Sequence, residues 1–213
     1  MEEKVIRFYD SFADTYDEEQ ESKNFSFVRQ PEKEMVLKYI NLVAKKTFSV
    51  LEIGAGTGRF TLKIAPLVKE ITALDISTKM LEKLKEKTKQ KDISNIKVVC
   101  GDFLDVSIKE KFDLIVSFSA IEYIADSKAL FSKISSLLNE GGKIIITTAH
   151  DTFFRWWGRL GNFFRQGIFM NAYSKRKMKN LLINNGFKVI KMEDLVLKSL
   201  FTKGILLFVY AEK

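Results

Sequence analysis

Short apolar runs recur along this chain, and between them lie longer stretches in which apolar residues return every three or four positions. The short runs, residues 49–53, 71–75, 96–100, 112–118, 142–148, 187–192 and 205–210, read as strands. The longer stretches, residues 33–46, 59–69, 77–89, 127–138 and 174–184, read as helices. Ser77 and Ser127 are expected as N-caps, and Asn185-Gly186 as the signal that closes the last helix. Strand and helix alternate, which predicts βαβ units and a mostly parallel sheet within one α/β domain spanning residues 1–213.

The first strand ends in VLEIGAGTGRF, Val50 to Phe60. A strand that breaks at glycines and re-enters as a helix presents bare backbone N–H groups and a helix N-terminus to a ligand. Gly54 suits a tight turn, Gly56 a close approach to the ligand, and Gly58 close helix–strand packing, because none carries a Cβ. The dinucleotide fingerprint G-x-G-x-x-G is not met, since Arg59 stands at its third glycine. About 20 residues on, the second strand ends in Asp75, the placement for an acid that accepts from ribose hydroxyls. The third strand ends in Gly101-Asp102-Phe103. The fourth runs through Ser117 and Phe118 into Ser119-Ala-Ile-Glu122-Tyr123. The fifth is entered through Leu138-Asn-Glu-Gly-Gly142.

These segments, in this order, resemble the class I S-adenosylmethionine-dependent methyltransferases over roughly Val5 to the C-terminus. Glu52 occupies the acidic slot of that family's E/D-x-G-x-G-x-G motif. Asp102 and Phe103 match the pair that meets the adenine, Tyr123 replaces the histidine usual after strand four, and Glu140 stands where proline is common. The resemblance implies a Rossmann-like seven-stranded mixed sheet in the order 3-2-1-4-5-7-6, with its last strands antiparallel. It also implies S-adenosylmethionine as cofactor and S-adenosylhomocysteine as product. The cofactor site it implies comprises Tyr16, Glu52, Gly54, Ala55, Gly56, Gly58, Asp75, Ile76, Asp102, Phe103, Ser117 and Ser119. The segment Phe8-Tyr-Asp-Ser-Phe-Ala-Asp-Thr-Tyr16-Asp17 is similar to the Y/F-D-x-x-A-x-x-Y-D segment of quinone- and biotin-pathway methyltransferases, where it forms a helical lid. That places a lid over residues 1–30. Phe8, Phe12 and Tyr16 are also spaced to pack one helix face, and the two roles are compatible.

Composition narrows this picture only a little. A chain of 213 residues with 46% hydrophobic content suits one domain with a sizeable core. No run approaches the roughly 20 apolar residues of a membrane span, and the acidic N-terminus lacks signal-peptide features, so a cytoplasmic location is expected. The lone Cys100 is expected as a small buried thiol in a strand, which argues against cysteine-dependent RNA methylation. One histidine and no Cys/His cluster give no basis for a metal site. The net charge of +8 is compatible with nucleic acid, with an anionic membrane surface, or with solubility alone.

Residues 151–173 form an insertion after the fifth strand. On a helix, Phe153, Phe154, Trp156, Trp157, Leu160, Phe163 and Phe164 would share one side and Arg155, Arg159 and Arg165 the other. A cap, a wall of an apolar substrate pocket, and an interfacial helix touching anionic lipid all fit this pattern; the pocket wall is the favoured reading, with peripheral membrane contact as an extra. Methyl transfer is an in-line displacement that needs alignment and, for some acceptors, a base. The N/D-P-P-Y/F signature of amine methylation is absent after strand four, which leaves O- or C-methylation of a small, apolar acceptor. His150, at the end of strand five, is the first candidate base, and Glu122 and Tyr123 are the second. The alternatives are an RNA methyltransferase and a cofactor-binding protein without turnover.

Overall fold

The computed structural model describes residues 2–151, 168, 170–195 and 204–213. Its sheet has seven strands in the order β3-β2-β1-β4-β5-β7-β6. These are β1 (Ser49–Ile53), β2 (Glu70–Asp75), β3 (Ile96–Cys100), β4 (Phe112–Phe118), β5 (Leu138–Ala149), β6 (Lys188–Leu195) and β7 (Leu206–Glu212). The first five run parallel; β7 is antiparallel to both β5 and β6. This is the order and the mixed sense expected from the chain.

Both faces of the sheet are covered, so the central strands are apolar throughout rather than alternating with polar residues. Val50, Leu114 and Val116 pack on one side with Val36 and Ile40 of α3 (Lys23–Val43). Leu51, Ile53 and Ile115 point the other way, onto Phe131 and Ile134 of α6 (Ser127–Leu137) and Met178 and Leu182 of α7 (Lys175–Asn184). The two-residue period of a strand thus feeds two cores.

Helix boundaries depart from the sequence expectation in instructive ways. The helix expected from residue 33 begins at Lys23 and runs through Pro31. A proline inside a helix costs about 3 kcal/mol, and the packing of the longer helix offsets that cost. The helix expected over 59–69 shrinks to α4 (Thr61–Ile64) and a 3-10 turn at Ala65–Leu67, because Pro66 sits in its path. Ser77 caps α5 (Thr78–Gln90) by accepting from the Met80 N–H, as expected. Ser127 does not cap α6; the Asp126 carboxylate one residue earlier accepts from Lys128 and Ala129. Ser127 instead lies within α6 and meets the Tyr173 hydroxyl at 3.1 Å. Cys100 is exposed rather than buried, because β3 is an edge strand.

The N-terminal segment forms α1 (Glu2–Phe12) and α2 (Tyr16–Glu21). Three aspartates of its motif fasten it to α5 and the glycine loop. Asp10 accepts from the Ser77 hydroxyl at 2.6 Å, Asp14 pairs with Lys83 at 2.7 Å, and Asp17 accepts from the Thr57 hydroxyl at 2.7 Å and pairs with Lys87. Residue 30, where the lid was expected to end, falls inside α3. Most of the aromatic insertion, residues 152–167 and 169, lies outside the described residues. Its end does not: Ile168 and Met170 form a small cluster with Val5 of α1, against Tyr9, Ile76 and Tyr123. No helix among the described residues is long and apolar enough to cross a membrane.

Candidate active site

The carboxyl ends of β1, β2 and β4 open into a cavity. Its floor is the glycine loop. Gly54 turns at φ +76°, and a Cβ there would stand 2.1 Å from the Ala120 Cβ of the loop after β4. Gly56 differs: a Cβ on it would meet nothing within 4 Å, because it faces the cavity. Gly58 does make a close approach, but to Leu84 of α5 rather than to a strand, and it lies outside the cavity wall.

Asp75 closes one side of the cavity. Its carboxylate accepts from the Gly56 N–H at 2.7 Å and the Ser77 N–H at 2.9 Å. Burial raises the pKa of this carboxyl, and the two N–H groups offset part of that rise. Ile76, Gly101, Asp102 and Phe103 continue the same wall. Asp102 also accepts from the Leu104 N–H at 2.6 Å, which holds its carboxylate at the turn. A carboxylate braced by backbone N–H groups, beside an open glycine, fits a ligand that brings vicinal hydroxyls. The residues present therefore fit the nucleoside that the glycine-loop motif implies.

The opposite side comes from the N-terminal helices α1 and α2 and the loop after β4. Tyr9, Tyr16 and Val5 meet Ser119, Tyr123 and Ile124 around the cavity. The rings brace one another: Tyr9 lies edge-on to Tyr123 at 5.6 Å and to Tyr16 at 6.3 Å, while Phe12 joins Phe8 to Tyr16. The aromatics of the motif thus pack among themselves, and Tyr9 and Tyr16 also line the cavity. Burial, then the neighbouring Tyr123 and Tyr16 phenols, push Tyr9 well above the ordinary tyrosine range. Burial raises Tyr16 as well, against the charges of Arg29 and Arg59. Both phenols are hydrogen donors at neutral pH.

Several expected site residues stand outside this wall. Glu52 points beneath the loop and accepts from the Thr61 hydroxyl at 2.6 Å. Burial pushes its carboxyl up to about 8, despite that hydrogen bond. Ala55 gives its N–H to the Leu74 carbonyl, and Ser117 donates to the Ile53 carbonyl at 2.8 Å; both stitch β1 to its neighbours. Glu122 is buried and accepts from the Thr148 hydroxyl at 2.9 Å. His150 sits at the end of β5, as expected, but its Nδ1 donates to the Gly204 carbonyl at 3.0 Å and lies 3.4 Å from Asp194. A carbonyl only accepts, so Nδ1 carries the proton. Of the three candidate bases, only Tyr123 lines the cavity.

One buried carboxylate was not foreseen. Glu32 of α3 is fully buried behind the lid. It accepts from Arg29 at 2.9 Å, Arg59 at 3.1 Å, Ser119 at 2.8 Å and Thr147 at 2.7 Å. Burial alone would raise its pKa, but the two guanidinium charges and the two hydroxyls outweigh it and hold the carboxyl below the usual range. The network joins α3, the glycine loop, and the ends of β4 and β5. It also grips Ser119, which sits at φ +54°, a costly conformation for a residue with a side chain. Arg29 and Glu32 lie before the first strand, where nothing in their spacing distinguishes them from an ordinary i,i+3 surface pair.

The comparisons with known proteins agree with this geometry. A family model described as a methyltransferase domain matches residues 44–186. The chain is 30% identical over 178 residues to malonyl-[acyl-carrier protein] O-methyltransferase 1 of Ilyobacter polytropus, covering 81% of this chain and 66% of that protein. It is 32% identical over 154 residues to the second such enzyme of the same organism, covering 71% and 56%. It therefore spans less than two thirds of either relative. The crystal structure of magnesium protoporphyrin IX methyltransferase from Synechocystis PCC 6803, with bound SAH, superposes with a TM-score of 0.76 over 98% of both chains at 15% identity, a likeness of fold. The glycine loop, the strand order and the family match lead to one conclusion: this chain belongs to the class I S-adenosylmethionine-dependent methyltransferases.

Proposed function

We propose that this protein transfers a methyl group from S-adenosylmethionine to an oxygen of a small acceptor on an apolar or acyl chain, and that the oxygen belongs to a carboxylate. Bound over the glycine loop, the cofactor supplies a methyl group on a positive sulfur, open to in-line attack. Asp75 would hold the ribose hydroxyls, Asp102 and Phe103 the adenine, and Gly56 would let the backbone approach. Tyr9, Tyr16 and Tyr123 would exclude water and orient the acceptor, which is where proximity and alignment lower the barrier.

The observation that carries the choice of acceptor is the set of titratable groups in the cavity. Among the described residues these are Asp75 and Asp102 on one side and three tyrosines on the other. Tyr9 and Tyr16 stay protonated at neutral pH, so they donate and do not accept a proton. A hydroxyl or carbon acceptor needs a base. A carboxylate does not, because it arrives ionised. The O-methylation named for the Ilyobacter relatives supports the same choice.

The test is label transfer from methyl-labelled S-adenosylmethionine to malonyl thioester, to a phenol and to an amine. A carboxyl methyl ester releases labelled methanol in alkali; ethers, methylamines and C-methyl groups do not. Alkali-labile label on the malonyl thioester alone is expected. Label only in a stable product would overturn the carboxylate reading.

A further inference from the structure

Beside the cavity lies a second concave surface. Helix α6 follows β4 and α7 follows β5, so both begin at the carboxyl edge of the sheet, the edge where the cavity opens. A groove runs between them, bounded by Lys128 on one side and Arg176, Lys177, Asn180 and Leu181 on the other. It adjoins the cavity along the chain: Ile124 lines the cavity and Ala125, the next residue, lines the groove. The Asn171 amide donates to both of their carbonyls, at 2.7 and 3.1 Å, and fixes this ridge.

The groove is basic in a way the fold does not require. Helix α7 opens Lys175-Arg176-Lys177-Met178-Lys179, with no acidic residue in its first turn. The helix dipole makes this turn the least favourable place for cations. Two of the four have uses within the chain. Lys175 pairs with Asp194 at 2.8 Å, and the Lys177 ammonium lies 4.8 Å from the Tyr173 ring centre. Lys128 and Arg176, on opposite walls of the groove, are exposed and, among the described residues, have no ion-pair partner. The acid in the groove wall is Asp126, and its Oδ1 already accepts from the N–H groups of Lys128 and Ala129.

We propose that this groove docks an acidic protein surface, that of the carrier which presents the acceptor as a thioester. The arm of the carrier crosses the ridge at Ile124 and Ala125 and delivers the acceptor to the cavity. This rests on the reading of the acceptor above. Charge complementarity calls for an anionic partner. Shape favours a protein: a concave channel between two helices, with Asn180 and Leu181 among the cations, suits a helix better than a flat bilayer.

The test compares malonate on an acidic acyl carrier protein with malonate on a small thioester, N-acetylcysteamine, for the wild type and for Lys128→Glu with Arg176→Glu. Both changed side chains are exposed, so the variant keeps its fold. The expected result is a rise of about tenfold in KM for the carrier-borne acceptor, shrinking with added salt, and no change for the small thioester. Equal kinetics of variant and wild type on the carrier would overturn the docking site while leaving the carboxylate reading intact. Equal loss on both acceptors would also overturn it. If neither acceptor is methylated, binding of the loaded carrier is read by calorimetry. Salt-sensitive binding that the variant loses then supports the groove and removes the acceptor reading. Tighter, variant-sensitive binding to phosphatidylglycerol vesicles or to an RNA hairpin than to the carrier would overturn the protein partner.

Discussion

Two buried glutamates flank the glycine loop, and their surroundings drive them to opposite charge states. Glu52, at the end of β1, faces one hydroxyl, that of Thr61, and burial lifts its carboxyl to about 8. Glu32, on α3, is as deeply buried, yet two arginines and two hydroxyls hold it ionised. The difference teaches what burial costs a carboxylate and what offsets it. Desolvation acts on both; only Glu32 has charge and enough donors to answer it. The strand side of the site is thus an apolar support with a neutral acid inside. The α3 side is held by a charged network that reaches Arg59, Ser119 and Thr147.

The strongest way to break this contrast is to remove Glu32. Glu32→Ala leaves Arg29 and Arg59 without their buried partner and releases Ser119. A loss of about 3–5 kcal/mol is expected in denaturant unfolding, the cost of stranding one side of a buried pair. A loss below about 1 kcal/mol would mean that water screens the arginines and that the network does not hold α3 to the glycine loop and the strand ends.

Asp75→Ala tests the ligand wall between the two. The carboxylate supports Gly56 and Ser77 and would accept from the ribose. Loss of charged hydrogen bonds is worth about 1.5–3 kcal/mol, so affinity for S-adenosylhomocysteine should fall roughly tenfold or more in calorimetry. Unchanged affinity would sink the assignment of the ribose to Asp75.

A pH series sharpens the comparison at Glu52. Its carboxyl titrates near 4.5 when unfolded and at about 8 when folded. Between those values the folded protein keeps a proton that the unfolded chain has released, so stability falls as pH rises through this window. Glu52→Gln removes the ionisation and keeps an oxygen for Thr61. The melting temperature of the variant should therefore gain on the wild type from about pH 5 to about pH 8. A constant difference across that range would show that Glu52 is ionised in the folded state. Glu32, with its lowered pKa, contributes in the opposite sense: its stability is lost as pH falls through the acid range.

The smallest effect is expected at His150. Its Nδ1 bond to Gly204 is worth about 1 kcal/mol of stability, and its place outside the cavity wall predicts nearly unchanged turnover in His150→Ala. A fall of about 10²-fold or more at saturating acceptor would restore it as the general base.

The parts of this protein legible in its sequence are those whose causes are local. Strands and helices followed from alternating periods, the strand order came with the family resemblance, and Gly54, Gly56, Asp75, Asp102 and Phe103 meet in the cavity because each ends or follows a strand at one edge of the sheet. The conserved geometry of a strand end places such residues whatever the rest of the chain does. What depends on which elements become neighbours was not legible. Cys100 is exposed because β3 falls at the edge, and Asp126 rather than Ser127 reaches the free N–H groups of α6. Helix α3 runs through Pro31 because the packing of the whole helix offsets the local cost. The Glu32 network joins residues up to 115 positions apart, and its charge state depends on the two guanidinium groups that packing brings to it. Period and turn chemistry act over a few residues and are written in the order of the chain; desolvation and charge pairing act through space and exist only once the chain has folded.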